Sequence, residues 1–313
     1  MTTQTHNDDR PGEINARPVR HPWRFVAVAV ILILVAMFVS SLLTNDRWNL
    51  EFVPNVMNFS PVLRGLVQGT IVCTIGAMVL GVTLGILLAV MRLSGNPVLR
   101  GVAFAYTWFF RAIPRLVLLV MLGVGAGFLY PKLDVGIPFA QQIFGIDTPL
   151  VFGSIDVNAL SNGIAVGILG LGLSEAAYMA EIARSGILSV DKGQSEAAQA
   201  LGMSNGKTMR RVVLPQAMRV IVPPTGNETI AMVKDTSLLV AVPVSNELWF
   251  QVTQVANNTG RIMPAYVAGF LWYLIICSIL MVGQYFLERR FGRGYGTQTN
   301  SSRKLTMIGK GSA

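Results

Sequence analysis

Five stretches of this 313-residue chain are apolar for about as long as a helix must be to cross a bilayer: residues 25–43, 66–91, 102–130, 163–183 and 266–287. A span needs about 20 mostly apolar residues. Backbone polar groups inside lipid must be bonded within their own segment, so runs of this length commit the chain to membrane-embedded helices. The charged fraction agrees: 13%, against roughly 25% in an ordinary soluble domain.

The positive-inside rule orients the spans. Arg10, Arg17, Arg20 and Arg24 precede the first run and place the N-terminus in the cytoplasm. Arg92 and Arg100 flank the next cytoplasmic turn. Residues 131–162 carry Lys132 against Asp134, Asp147 and Asp156, as suits an outside loop. Arg184, Lys192, Lys207, Arg210, Arg211 and Arg219 make the following loop cytoplasmic, and Arg289, Arg290, Arg293, Arg303, Lys304 and Lys310 do so for the C-terminal tail. Two cytoplasmic segments on either side of the last run require one more crossing. Residues 222–244 are long enough to supply it, although they carry Asn227, Glu228, Lys234 and Asp235. The sequence therefore predicts an all-α integral membrane protein with six transmembrane helices and both ends inside. Its polar tails, 1–24 and 291–313, are expected to be disordered.

This accounting absorbs the formal net charge of +9. The cations are spread over the cytoplasmic segments with no aromatic stacking platform among them, so nucleic acid is not an expected partner. Cys73 and Cys277 sit alone in apolar runs and read as small hydrophobes. The histidines, His6 and His21, both lie in the N-terminal tail, and no hydrolase or metal-ligand pattern is present. No catalytic residue, metal or cofactor is expected. The first apolar run lacks a small-residue cleavage pattern and reads as a retained anchor. Gly65 and Gly69, Gly81 and Gly85, and Gly123 and Gly127 have the spacing that lets helix backbones approach closely, and general helix packing is their expected use.

Residues 202–208, "GMSNGKT", nearly match a phosphate-binding loop. That loop needs four residues between its first glycine and the Gly-Lys pair, after a buried strand. Here three residues separate Gly202 from Gly206, and the preceding "DKGQSEAAQAL" is a helix former. Asp191 suits an N-cap and Gly202 a C-cap. A second helix is expected from Ser204 or Asn205, interrupted or ended at Pro215. The segment is a helix–glycine–helix hook, and its small residues suit entry into a partner's groove.

At this point the residues resemble a family. "SEAAQALGMSNGKTMRRVVLPQA", residues 195–217, is similar to the EAA loop of permease subunits of bacterial ABC importers, with Glu196, Ala197, Ala198, Gly202, Leu214 and Pro215 at the motif positions. The neighbouring text over 174–250 resembles the polar amino-acid branch, and the likeness runs from about residue 60 to 290. It implies the type I importer permease fold, a multi-pass location in the bacterial cytoplasmic (inner) membrane, and no ATPase site of the chain's own. It also implies partners: two copies of an ABC ATPase subunit seated on the EAA loop, a second permease copy or a paralogue, an extracytoplasmic substrate-binding protein, and the lipid bilayer. Residues 25–43 are an extra helix relative to compact members, ahead of a core at 60–290. Where the family commonly reads Phe-Arg-Gly-Thr-Pro-Leu, this chain has Phe110, Arg111, Ala112, Ile113, Pro114 and Arg115. It thus loses a hydroxyl and gains a cation.

Ionisable groups at membrane depth face a cavity or a partner. Glu175, Tyr178 and Glu181 fall at i, i+3 and i+6, within an arc of about 120°. Two roles are open to this stripe: lining a translocation path, or pairing between helices with Arg111 or Lys234. Arg111 and Arg115 lie one turn apart. Snorkelling is the expected role of Arg115, while Arg111 is retained as a pathway residue. Asn227, Glu228, Lys234 and Asp235 complete the expected pathway, with Lys234 beside Asp235 as a pair and Pro223 and Pro224 weakening the start of their helix. The function expected is ATP-driven import of a polar amino acid by alternating access. The alternative is an ion-coupled secondary transporter of small polar solutes, which would show discontinuous helices in both halves.

Overall fold

The structure, a computed structural model, describes residues 22–145, 150–157, 163–242 and 244–291. The expected tails lie outside these residues, apart from 22–24 and Phe291, which are helical. The chain divides into two units, one ending at Trp48 and one beginning at Asn49. The first contains α1 (Pro22–Thr44), 23 residues long and apolar enough to span.

The second unit is a helical bundle. Its helix α2 (Ser60–Leu93) is 34 residues long and carries a π-helical stretch, Gly65–Ile71, near its start. Helices α3 (Pro97–Ala112) and α4 (Arg115–Leu129) are together long and apolar enough for one span, but are bent by 100° at the break between them. A short antiparallel hairpin follows, β1 (Lys132–Gly136) against β2 (Val151–Asp156), with Leu133 opposite Ile155. The loop expected at 131–162 thus contains one short strand pair within a chain that is otherwise helical over the described residues. Away from lipid, extended segments are free to pair.

Helix α5 (Ile164–Leu188) is the centre of the bundle, with 61% of its apolar window buried. It then leads into the hook helix α6 (Lys192–Ala200). A helical turn at Asn205–Thr208, a π-helical stretch at Met209–Val213, and α7 (Leu214–Asp235) follow without a break in helical dihedrals. Pro215 therefore does not end a helix. It falls in the first turn of α7, and the wider π turn before it takes up the missing N–H and the ring. Pro223 and Pro224 lie inside α7 rather than at its start. A 3₁₀ turn, Thr236–Ala241, then α8 (Leu248–Thr259) and α9 (Ile262–Phe291) complete the unit.

Among the described residues four helices (α1, α2, α5 and α9) are long and apolar enough to cross a membrane, and the α3–α4 pair makes up to five. The polar α7 is not among them. One core holds Cys73, Leu119, Leu171, Met232 and Leu239, from α2, α4, α5, α7 and the 3₁₀ turn. A second gathers Val56, Val62, Leu248, Val252 and Ala265 around α8 and α9. Lipid-type surface, such as Val79, Ile86, Phe270 and Ile279, stays exposed. Small residues set the closest approach. A Cβ on Gly85 would stand 3.0 Å from the Ala176 carbonyl oxygen, so α2 and α5 touch backbone to backbone there.

Candidate functional site

The site begins with a broken helix. Proline disfavours the helical region for the residue before it, and Ile113 (φ −91°, ψ 129°) and Pro114 (φ −59°, ψ 134°) are not helical. Helix α4 restarts at Arg115, whose side chain turns into the bundle. Arg115 Nη2 donates to Glu175 Oε2 at 2.9 Å and stands 3.8 Å from Glu228 Oε2, and Nη1 donates to Asp235 Oδ2. The guanidinium also lies 5.0 Å from the Tyr178 ring centre, with that of Arg111 at 5.6 Å.

Three carboxylates from α5 and α7 therefore converge on one guanidinium, leaving two formal negative charges in surplus, or one if Arg111 is counted. Glu175 is fully buried, whereas the side chains of Glu228 and Asp235 are 27% and 31% exposed. The cluster opens on the α7 side. Glu175 Oε1 has no hydrogen-bond partner. Glu175 lies 11 residues from the start of α5 and 13 from its end, so about 16–20 Å from either end at ~1.5 Å per residue. That is mid-span.

The structure brings together Glu175, Tyr178, Glu228 and Asp235, with Arg111 at the edge. It departs from the sequence expectation at Arg115, which is no snorkelling side chain. A straight span would carry it toward the membrane surface, but the break returns it to α5. Asp235 pairs with Arg115 rather than with Lys234. Asn227 and Lys234, seven residues apart, share a neighbouring and exposed stripe of α7. Glu181 lies about 9 Å further along α5. It accepts from Arg92 Nη2 at 3.2 Å and from Arg184 Nε at 2.9 Å. The Glu175–Tyr178–Glu181 stripe thus divides between two arginine groups.

Sequence reasoning missed Glu247. It is fully buried and caps α8, accepting from the Trp249 and Phe250 N–H groups at 2.7 and 3.1 Å. Its other oxygen accepts from Thr70 Oγ1 at 2.8 Å, Tyr273 Oη at 2.7 Å and Thr236 Oγ1 at 3.4 Å. One carboxylate therefore ties α2, the 3₁₀ turn, α8 and α9 together. Gly69 makes room for this knot: a Cβ there would fall 1.8 Å from the Asn246 carbonyl oxygen. An acid just before the apolar "LWFQV" was the available signal.

The hook is built as its sequence suggests. Asp191 Oδ1 accepts from the Gly193 N–H at 2.7 Å. At the other end Gly202 takes φ +79°, its N–H donating to Gln199 O at 2.9 Å and that of Met203 to Ala198 O at 3.1 Å, a Schellman closure. Ala198 is buried, Glu196 and Ala197 are exposed, and Leu201 projects with 85% exposure. Leu214 and Pro215 are exposed at the start of α7.

Comparison with known proteins places this geometry. Residues 81–293 match the family model described as "Binding-protein-dependent transport system inner membrane component". The arginine transport system permease protein ArgU of Corynebacterium glutamicum is 45% identical over 300 residues, covering 96% of this chain and 89% of that protein. At most 13 residues stay unmatched (313 less 300), fewer than the 23 of α1, so the likeness reaches into the first helix. The L-cystine transport system permease protein TcyB of Bacillus subtilis is 34% identical over 238 residues, 75% of this chain and 89% of that one. Among solved structures, one described as an amino acid ABC transporter with histidines superposes with a TM-score of 0.60 at 28% identity, covering 76% of this chain and 98% of that one.

Proposed function

Since the chain belongs to the family of binding-protein-dependent transport system inner membrane components, we propose that it selects a cationic amino acid of the arginine type at the cluster around Arg115. The chain is the permease of an ABC amino-acid importer in the bacterial inner membrane, works with an ATPase and a binding protein, and is not itself the ATPase. The substrate reading rests on one observation: three carboxylates meet a single guanidinium at mid-span and leave negative charge uncompensated. A guanidinium or ammonium group from a substrate restores the balance through charge-assisted hydrogen bonds, whereas an acidic side chain meets like charge. The arginine permease at 45% identity supports the same class.

In this reading the chain crosses the membrane six times with both ends inside: once by the extra helix 25–43 and five times by the core at 60–290, where α7 supplies the polar crossing. Two ATPase subunits close on ATP and pull on the 191–215 hook, where Glu196, Ala197, Ala198, Gly202, Leu214 and Pro215 form the seat. The motion opens the path lined by Glu175, Tyr178, Glu181, Glu228 and Asp235, with Arg111, Asn227 and Lys234 on its wall. The partial exposure of Glu228 and Asp235 supports a second permease copy or a paralogue closing the path. The test is kinetic. Asp235→Asn and Glu228→Gln raise the KM for arginine several-fold in the complete transporter, while unstimulated ATP hydrolysis stays unchanged. An unchanged KM in both variants rules the cluster out as the selecting site.

A further inference from the structure

At one corner of the bundle, where α2 ends, α3 begins and α5 ends, three arginines face one another across a cleft. Arg92, Arg100 and Arg184 line it together with Leu93, Pro97 and Phe104, around a volume of about 510 Å³. Glu181, outside the lining, is bonded to both Arg92 and Arg184. Two formal positive charges remain in surplus. Arg100 makes no ion pair among the described residues.

Topology alone asks for cations on this face of the membrane, the one that carries the hook, but it does not ask them to converge. Free arginines in water would spread apart. Here Arg92 is held in place, its guanidinium 5.1 Å from the Phe104 ring centre and its side chain 19% exposed. Arg92 and Arg184 are thus held as planar donors with the exposed Arg100 beside them, a set that suits the oxygens of a phosphate. The cleft also has a greasy wall rising from it. Pro97, Gly101, Phe104 and Trp108 follow one another at helical spacing along α3, and Phe104 and Trp108 are 56% and 65% exposed. A small soluble anion has no use for that wall, whereas an acyl chain has.

We propose that this cleft binds the phosphodiester headgroup of an anionic phospholipid, with its acyl chains laid along the Phe104–Trp108 face of α3. Helix ends place the three guanidiniums at headgroup depth, where basic pockets between spans recruit acidic lipids. The surplus of two positive charges matches two phosphates, as in a cardiolipin, or two singly charged lipids.

Native mass spectrometry of the delipidated permease–ATPase complex tests this directly, with cardiolipin, dioleoylphosphatidylglycerol, dioleoylphosphatidylcholine and inorganic phosphate as probes. The two acidic lipids should be retained at least about fivefold over the phosphatidylcholine, and each of Arg100→Gln and Arg184→Gln should weaken their retention by about fivefold. Arg100→Lys, which keeps the charge, should recover part of the loss and guards against a folding defect. Equal retention of phosphatidylcholine overturns the proposal. So does displacement of the lipid by millimolar inorganic phosphate, which would make this a site for free anions. Unchanged lipid retention in both glutamine variants overturns it as well.

Discussion

Arg115 and Glu175 meet at 2.9 Å across α4 and α5, and the second oxygen of Glu175 is left without a partner. Glu175 has no room to turn away, because it lies against Gly81, where a Cβ would stand 2.7 Å from its Cγ. The pair is therefore held by packing. Breaking a buried ion pair by removing one partner costs about 3–5 kcal/mol, because the other charge stays buried. Arg115→Met is expected to lower the thermal midpoint of the detergent-solubilised complex sharply. Adding Glu175→Gln to it should recover part of the loss. Equal melting of wild type and Arg115→Met contradicts a structural ion pair.

The hook makes a prediction of a different kind, since its failure should spare the membrane domain. Gly202 holds φ +79°, a conformation that costs an L-residue about 1–2 kcal/mol. Gly202→Asp and Glu196→Lys should insert and melt like the parent but retain little ATPase in a pull-down and show no uptake. Full ATPase recovery with either variant would remove the hook from coupling.

Glu247 should behave as a stability residue. Glu247→Ala leaves two hydroxyls, of Thr70 and Tyr273, and two backbone N–H groups without their acceptor, each costing about 1–3 kcal/mol if it stays buried. Folded yield should collapse, and Glu247→Gln should restore part of it, because one oxygen still accepts. Thermal melting and gel-filtration yield read both.

Much of this was legible in the sequence, for physical reasons. Apolar runs report spans directly, and the caps at Asp191 and Gly202 are local chemistry, so the hook could be read residue by residue. The charges of 228–235 marked a helix with buried business. Arg115 was misread because its role depends on a 100° bend that one proline imposes, and a straight-helix count places it wrongly. Pro215 was misread for the converse reason: a π turn upstream absorbs it. Glu247 was invisible because its partners, Thr70 and Tyr273, are far away in sequence and neutral. The hairpin hid in a loop that was read for its charges and not for strand pattern.

The most direct test of the account is uptake by proteoliposomes holding this permease, its ATPase and the binding protein. Labelled arginine should accumulate when ATP is supplied and the ATPase is present, and a hundredfold excess of glutamate should not displace it. Accumulation of arginine by the permease alone on an ion gradient, or a preference for glutamate, would contradict it.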